Sequence, residues 1–264
     1  MIAIAYSLSD PASLNIAECL KSRYGVMEGD PSHLQELFLY RVPSPLVHAE
    51  FLDSLGADAI IFASKHSSAS GVASMTVHSM GNFGAEAKLG GTPHSLSVAA
   101  PSLMLSILEA MHKSGASVEK TYEATHHGPL LNTPAVFAEI GGNEDAVNNR
   151  DYAEDVAGAI YEAATRTINF KAKYRKVVIG IGGNHYPKKF TDMALEKGYA
   201  FSHIISKYSL INDLSSDLGM LEQAVQRSSE RPETGVLEWK SLNSETRNRV
   251  IKKLDSMGIS HERV

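Results

Sequence analysis

The stretch ADAIIFAS, residues 57–64, decides the fold class of this chain. Its apolar residues follow one another without the alternation of a strand that has one face in water. A short uninterrupted run of this kind is typical of a strand buried on both faces. Gly56, just before it, predicts the end of a short helix near 48–55. A second such run, KVVIGIGG at 176–183, predicts another buried strand.

Helices and strands alternate on both sides of these two runs. Asp10 and Pro11 supply an N-cap and a proline at the first helical position, which predicts a helix to about residue 24. Further helices are predicted at 101–113, 150–169, 187–197, 215–228 and 243–257. Further strands are predicted at the N-terminus and at 34–40, 74–80, 118–125, 134–140, 200–205 and 235–239. This pattern predicts an α/β protein with a mixed, mostly parallel sheet covered on both faces, in one domain over 1–264.

Composition narrows the class of protein. The chain has 264 residues, a net charge of -5 and 43% hydrophobic residues, which is typical of a globular protein without a global basic field. Cys19 is the only cysteine, which excludes a disulfide framework and a cysteine-rich zinc site. We expect no membrane span and no signal peptide, because the first residues, MIAIAYSLSD, lack a basic region and are predicted to form a strand.

Several familiar catalytic motifs are absent from the sequence. GIGGNH at 180–185 has His185 where the dinucleotide-binding fingerprint needs a glycine. The sequence contains no GxxxxGK[ST], HExxH or GxSxG motif. Cys19 lies inside a predicted helix, so it is a poor candidate for a nucleophile.

Histidines gather at the predicted ends of strands. Six of the eleven histidines lie in such segments: His66, His78, His94, His126, His127 and His185. In open α/β sheets, sites form outside the carboxyl ends of the strands, so imidazoles that meet there indicate a proton-transfer or metal site. The alternative is that each is a surface or turn residue, which is our interpretation of His94.

The adjacent pair in ATHHGPLLNTP, 124–134, is unusual because neighbouring residues of a strand point to opposite faces. His126 and His127 can therefore reach one atom together only if the turn at Gly128–Pro129 interrupts the alternation. We expect the pair to be unequal, with His127 at a metal or at the reacting atoms and the other imidazole orienting its neighbours.

Two acidic residues lie near the histidines in sequence. Glu139 interrupts the apolar strand PAVFAEIGG, where a carboxylate is costly unless it is paired or binds a cation; the alternative is a strand end that points outward. Glu123 is expected to be exposed, because Lys120 is close to it. The glycine-rich loop 81–95 is either a flexible connection or a backbone cradle for an anionic or carbonyl ligand.

Seven segments in this order resemble the archaeal and plant type of D-aminoacyl-tRNA deacylase. They are SKHSS (64–68), TVHSMGNFG (76–84), LGGTP (89–93), YEATHHGP (122–129), PAVFAEIG (134–141), GIGGNHYPKKFT (180–191) and HIISKYSL (203–210). The resemblance covers about residues 1–257, and Lys65 stands where it leads us to expect arginine.

The resemblance implies a single three-layer α/β/α domain, similar to phosphorylases, zinc exopeptidases and peptidyl-tRNA hydrolase. It also implies zinc as cofactor and hydrolysis of the ester that joins a D-amino acid to tRNA, in a cytoplasmic enzyme that we expect to be a monomer. We predict His127 and Glu139 as catalytic residues. The predicted metal ligands are His66, His78, His126 and His185. The predicted substrate contacts are Lys65, Asn82, Gly90, Gly91, Gly182, Gly183, Lys188 and Lys189.

Three alternatives remain at this stage. His127 alone could activate water without a catalytic metal, as suits a peptidyl-tRNA hydrolase-like fold. A related metal-dependent hydrolase or phosphorylase could act on small esters, amides or nucleosides. A protein that binds tRNA or metal without turnover is the third. For the tRNA itself, the basic segments KAKYRK (171–176) and PKK (187–189) are the predicted phosphate contacts.

Overall fold

A computed structural model describes residues 1–29, 36–67, 71–169, 176–214 and 218–264. Three predicted features lie partly outside these ranges: the segment KAKYRK, the start of the strand at 34–40 and the start of the helix at 215–228. None of the described helices is long and apolar enough to cross a membrane.

The described residues alternate between strands and helices along most of the chain. The strands are β1 (Ile2–Ser7), β2 (Leu37–Val42), β3 (Ala59–Ser67), β4 (Ser74–His78), β5 (Gly81–Asn82), β6 (Ser95–Leu96), β7 (Glu119–Tyr122), β8 (Ala135–Gly142), β9 (Lys176–Ile181), β10 (Tyr199–Ile205), β11 (Thr234–Leu237) and β12 (Ser260–Arg263). The helices are α1 (Pro11–Tyr24), α2 (Pro101–Lys113), α3 (Glu144–Val147), α4 (Arg150–Asn169), α5 (Lys188–Lys197), α6 (Lys207–Asn212), α7 (Gly219–Gln226) and α8 (Ser244–Ser256). The helix predicted near 48–55 consists of two 3-10 turns, Leu46–His48 and Glu50–Leu55.

Capping residues set the helix ends as the sequence indicates. The side chain of Asp10 accepts a hydrogen bond from the Ser13 amide at the start of α1, and Gly25 ends that helix with a φ of 66°. Asn243 caps α8 in the same way, through the Thr246 amide.

The strands form two main sheets and one short ribbon. The larger sheet has the order β2-β1-β3-β8-β4-β7, and the smaller has the order β10-β9-β11-β12. All neighbouring pairs of these two sheets are parallel except β4 with β8. The predicted α/β class with mixed, mostly parallel strands is therefore confirmed, although the division between two sheets is not visible in the sequence pattern.

Burial on both faces explains the apolar run that predicted β3. Ile61 and Ala63 pack with residues of α1, α2 and α4 in one part of the core. Ile60 and Phe62 point the other way and pack among residues of the two 3-10 turns. The same alternation carries His66 to the face of Phe62, at the carboxyl end of the strand.

The two sheets are joined where β7 has ended. The amide of Ala124 donates to the His185 carbonyl at 2.8 Å, and the amide of Thr125 donates to the Ile204 carbonyl at 2.9 Å. The histidine pair at 126 and 127 follows this junction directly. The junction therefore brings the segment after β9 next to the ends of the strands of the larger sheet.

Candidate metal and proton-transfer site

Five of the six predicted histidines and both acidic residues meet at this junction. His66, His78 and Glu139 belong to β3, β4 and β8, three neighbours in the larger sheet. The others follow strands: Glu123, His126 and His127 come after β7, and His185 comes after β9. His94 is outside this cluster, on an exposed turn as predicted, with Nδ1 hydrogen-bonded to the Phe83 carbonyl at 2.9 Å. It lines the same pocket as His126 and His127.

Glu123 is a central residue of the cluster, so the expectation that it is exposed is wrong. Its side chain is fully buried, and Oε2 lies 2.7 Å from His185 Nε2 and 3.3 Å from His66 Nδ1. The same oxygen lies 3.8 Å from His126 Nε2. The sequence signal was the alternation of the segment: Tyr122 and Ala124 point into the core, so Glu123 points to the opposite face, toward the histidines.

Glu139 is also buried, and it lies between two imidazoles. Its Oε2 is 3.5 Å from His66 Nδ1 and 3.5 Å from His78 Nε2. Both contacts are long for hydrogen bonds. Of the two interpretations that the sequence left open for Glu139, the structure shows the buried carboxylate beside possible partners and not the outward-pointing strand end.

The buried carboxylates stabilise the charged forms of His66 and His78, and these imidazoles stabilise the charged carboxylates. Burial alone would raise the pKa of each carboxylate, but the imidazoles outweigh it: the pKa of Glu123 is lowered mainly by the hydrogen bond to His185, and that of Glu139 by His66 and His78. In turn, burial would lower the pKa of His66 and His78, but Glu139 and Glu123 raise it above the usual value. Two buried anions therefore face imidazoles that readily become cationic.

His126 and His127 reach the same place, because the turn interrupts the strand alternation, which is the one condition under which the sequence allowed both rings to meet. His127 has a φ of 41°, which is in the left-handed region, so strand alternation ends at this residue. The two ring centroids are 4.3 Å apart, and they lie 4.3 Å and 4.9 Å from the ring of His78. The turn thus places two consecutive imidazoles on one side of the chain.

Each of these two rings is oriented by a backbone carbonyl. His126 Nδ1 contacts the Ala124 carbonyl at 2.9 Å, and His127 Nδ1 contacts the Gly128 carbonyl at 2.6 Å. Burial and the charge of His78 lower the pKa of His126 well below its usual value and that of His127 to about 4. Both imidazoles are therefore neutral at pH 7, with Nδ1 as the donor and Nε2 carrying a free lone pair.

Three overlapping groups of side chains have the ligand types and spacing to hold a metal ion. In each group the candidate ligand atoms lie within 4.8 Å of one another. The groups are His78 with His126 and His127; His66 with Glu123 and His185; and His78 with Glu123 and Glu139. The four predicted metal ligands are consequently divided between two groups, and His127, predicted as catalytic, falls among the possible ligands.

Several buried polar atoms of the cluster form no hydrogen bond to a described residue, which indicates that the site can bind a further partner. Among the described residues, the buried His78 Nε2, Glu139 Oε2 and Glu123 Oε1 form no hydrogen bond. Buried polar atoms are normally paired, and imidazole nitrogen with carboxylate oxygen is a donor set that suits a borderline divalent metal. The residues therefore fit a metal ion.

The predicted glycines shape the turn that carries the histidine pair. A Cβ on Gly90 would lie 1.7 Å from the Val47 carbonyl oxygen, and a Cβ on Gly128 would lie 2.2 Å from the Gly91 amide. Asn82 fixes this loop by donating to the Gly90 carbonyl at 2.9 Å. The close packing of 90–91 against Gly128 explains these glycines without a ligand, and it holds His127 in place.

A pocket of about 440 Å³ opens on the cluster. It is lined by Thr125 and the histidine pair on one side and by Asn82, Phe83 and residues of α6 on the other. Because His126 and His127 reach its wall, a small molecule in this pocket contacts the candidate metal group directly.

The predicted lysine contacts lie at the edge of the site. Lys65 is exposed, and its backbone amide donates to Asp10 at 2.8 Å. Lys188 Nζ donates to Asp192 at 3.0 Å, and Lys189 Nζ lies 3.9 Å from Glu238. One further residue at the site, not predicted, is Tyr186, whose hydroxyl contacts His66 Nε2 at 2.6 Å. Its position directly after His185 is the one feature of the sequence that could have indicated Tyr186 as a site residue.

Gly182 and Gly183 position the loop that carries His185. Their φ angles are 99° and 78°, and a Cβ on either would lie within 2.6 Å of a side chain of the segment 238–241. The amide of Gly183 donates to Ser241 Oγ at 2.8 Å. These two glycines therefore join the site to the segment before α8.

Comparison with known proteins gives a consistent result. Residues 54–262 match the family model described as D-aminoacyl-tRNA deacylase. A protein of Ignicoccus hospitalis named D-aminoacyl-tRNA deacylase is 42% identical over 98% of this chain and 97% of its own. One of the same name from Pyrococcus furiosus is 33% identical over 95% of each chain. The crystal structure of AF0625, a conserved protein of unknown function, superposes with a TM-score of 0.88 at 29% identity, covering 100% of this chain and 95% of that one.

Proposed function

The chain belongs to the D-aminoacyl-tRNA deacylase family, and we propose from this premise that it hydrolyses the ester between a D-amino acid and tRNA. The observation that carries the proposal is the position of the cluster. All the histidines and carboxylates that meet at the junction lie within the matched residues 54–262. The products are the free D-amino acid and the tRNA, so the reaction removes D-amino acids before protein synthesis.

We propose that zinc is held by His78, His126 and His127. Each of these rings has Nδ1 next to a backbone carbonyl, that of Ser79 at 3.1 Å in the case of His78, which leaves Nε2 for a ligand. Three protein ligands with one open position is the usual arrangement of a catalytic zinc site, and oriented imidazoles bind more tightly. The pocket beside His126 and His127 would leave room for the substrate next to these ligands.

When bound, zinc supplies Lewis acidity, which polarises an ester carbonyl and makes water a nucleophile near neutral pH. Glu139 is the proposed general base, as the sequence predicted. Its Oε2 is buried and has no hydrogen bond to a described residue, so it can accept a proton from the attacking water. His66, 3.5 Å away and bonded to the Tyr186 hydroxyl, offers a path for that proton toward the solvent.

His185 is the proposed proton donor to the leaving ribose oxygen. Its side chain is 38% accessible, and Glu123 holds its Nε2 at 2.7 Å. A carboxylate behind an imidazole fixes the orientation of the ring, so the other ring nitrogen, Nδ1, is left to face the leaving oxygen.

The substrate contacts are assigned by position. The pocket next to His126 and His127 takes the aminoacyl end, with Asn82 and the 90–91 backbone behind it. Lys65, Lys188 and Lys189, together with Gly182 and Gly183, stay at the edge where the RNA enters. The enzyme acts as a monomeric single domain in the cytoplasm, where its substrate is formed.

The test combines stereochemistry, chelation and metal content. The protein is incubated with D-tyrosyl-tRNA and L-tyrosyl-tRNA, before and after removal of bound metal with a chelator. We expect hydrolysis of the D form only, its loss after chelation and its return with zinc. His127→Ala should lose both zinc and activity, whereas His185→Ala should keep zinc and lose activity. Equal rates on both esters would refute the function, and full activity without metal would instead favour His127 alone as the activator of water.

A further inference from the structure

Charge is distributed unevenly along the chain. Residues 1–170 contain 9 lysines and arginines against 19 aspartates and glutamates, whereas residues 171–264 contain 16 against 11. The net charge of -5 therefore hides a basic C-terminal third. Such asymmetry is typical of proteins that present one part of their surface to a polyanion.

The basic third forms one wall of the site. It supplies the smaller sheet, helices α5 to α8, and the loop with His185 and Tyr186. The other members of the cluster come from the acidic part of the chain. An RNA whose 3′ end enters the site therefore meets opposite charge on the side of His185, and like charge on the side of the larger sheet.

An aromatic residue with two arginines lies on this basic part. The guanidinium groups of Arg247 and Arg263 both lie over the ring of Trp239, with Cζ 4.4 Å and 3.8 Å from its centroid. Among the residues the structure describes, neither guanidinium has a carboxylate within 4.0 Å, while Arg247 donates to Ser244 Oγ at 2.9 Å. Stacked arginines lose little conformational freedom when they bind phosphate, and their planar N–H groups match its oxygens.

The segment that carries Trp239 is joined to the 182–185 loop, which holds His185, by a hydrogen bond. Ser241, two residues after Trp239, accepts the hydrogen bond from the Gly183 amide at 2.8 Å, and Gly183 is two residues before His185. Lys240, between Trp239 and Ser241, is exposed. The segment that carries Trp239 and Lys240 therefore lies directly against the 182–185 loop, with the Glu238 carboxylate beside Gly183.

We propose that Trp239, Lys240, Arg247 and Arg263 form a platform that binds the acceptor end of the tRNA. The inference rests on the proposed function, because the scissile ester is at the 3′ end of tRNA and the nearest RNA outside the site is the acceptor stem. It differs from the sequence-based prediction, which placed the phosphate contacts in the segments KAKYRK (171–176) and PKK (187–189). Lys188 and Lys189 both face a carboxylate, whereas neither platform arginine has one within 4.0 Å among the described residues.

The probe is deacylated tRNA, whose binding does not depend on catalysis. The platform variant Lys240→Glu with Arg263→Glu should bind it at least tenfold more weakly. The magnitude of the slope of log affinity against log salt should fall by about 1.5, because each of two lost phosphate contacts contributes about 0.7 to 0.9. The matched control, Lys88→Glu with Lys113→Glu, makes the same change of charge at exposed lysines of the acidic part and should keep affinity and slope.

Two further measurements separate this inference from the proposed function. With D-tyrosyl-tRNA, the platform variant should show a raised KM and an unchanged kcat. With a D-tyrosyl ester of adenosine, which has no phosphate, it should match the unaltered protein, and this also shows that the variant is folded. Wild-type tRNA affinity and salt slope in the platform variant would overturn the platform, as would a loss confined to Lys188→Glu with Lys189→Glu. If the unaltered protein hydrolyses neither ester, the proposed function is refuted. The tRNA-binding measurements still test whether the platform binds RNA.

Discussion

The charge of the buried Glu123 side chain depends on the imidazoles around it. A buried carboxylate is costly unless it is paired, and the imidazoles around Glu123 provide that pairing and lower its pKa. Its hydrogen bond to His185 gives it a role in orienting an acid, and it is not one of the three proposed zinc ligands. Its loss should therefore affect turnover more than metal content.

Glu123→Gln should lower the single-turnover rate of ester hydrolysis about 10- to 100-fold, the usual effect of removing a partner that orients an imidazole. Zinc content should stay at the level of the unaltered protein, since His78, His126 and His127 are unchanged. Glu119→Gln, at the exposed start of β7, the strand that ends just before Glu123, is the control. Loss of zinc in Glu123→Gln, together with its retention in His127→Ala, would move the metal to the group of His66, Glu123 and His185.

His203 predicts a dependence of stability on pH that is independent of the catalytic cluster. Its Nε2 donates to the Arg227 carbonyl at 2.9 Å, and Nδ1 lies 3.2 Å from Thr125 Oγ1, so the buried ring is held neutral. Burial lowers its pKa from 6.5 to about 4. The unfolded chain therefore binds a proton at this residue between pH 6.5 and 4 that the folded protein does not bind, and stability falls as the pH falls through that window.

The measurement is urea unfolding of the unaltered protein and His203→Gln at pH 8, 6 and 4.5. The amide of glutamine can keep a hydrogen bond but cannot take up the proton. Relative to the variant, the unaltered protein should lose on the order of 3 kcal/mol across the full window. Parallel pH profiles for the two proteins would show that His203 does not carry this dependence.

At the scale of elements, the turn after β7 is held by close contact between two loops. The Gly128 amide donates to the Leu89 carbonyl at 2.9 Å, and Gly90 packs its Cα against the Val47 carbonyl. Only glycine fits at 90, because its φ of 75° and the approach of Val47 leave no room for a side chain. The position of His127 is therefore set by residues almost forty positions earlier in the chain.

Gly90→Ala should destabilise the protein by at least about 2 kcal/mol, from the left-handed backbone and the steric overlap combined. The rate of hydrolysis should fall as well, because the displaced loop moves the turn that carries His127. Gly115→Ala is the matched control, since a Cβ there meets no atom within 4 Å and the stability should change by less than about 0.5 kcal/mol. Equal unfolding midpoints for the two variants would contradict this account of the loop.

The sequence predicted local features of these elements better than their assembly. The apolar runs at 57–64 and 176–183 and the caps at Asp10 and Asn243 act within a few residues, so they are visible in one sequence. The left-handed φ of His127 is imposed by the packing of Gly90 and Gly91 against Gly128, a contact over long sequence distance. For that reason the sequence could state only the condition under which the two histidines meet, and not whether the condition holds.

At the scale of the whole molecule, the site exists because two sheets meet. The larger sheet supplies His66, His78 and Glu139, and the smaller one supplies His185 through the loop after β9. The clustering of histidines at strand ends was predictable, since parallel strands present their carboxyl ends at one edge. The division into two sheets was not, because the hydrogen bonds of Ala124 and Thr125 that join them leave no pattern in the sequence.

Zinc should stabilise the whole fold, since its proposed ligands come from β4 and from the turn at the junction of the sheets. A ligand that binds only the folded state stabilises it by about 2.7 kcal/mol at a free concentration of 100 times Kd. For a domain of this size, that corresponds to a rise in Tm of about 5 to 10 °C. The rise should persist in His185→Ala and disappear in His127→Ala. Mg²⁺ at the same concentration should have no such effect, because it prefers oxygen ligands to imidazole. An equal rise with Mg²⁺, or an unchanged response to zinc in His127→Ala, would exclude the three-histidine site.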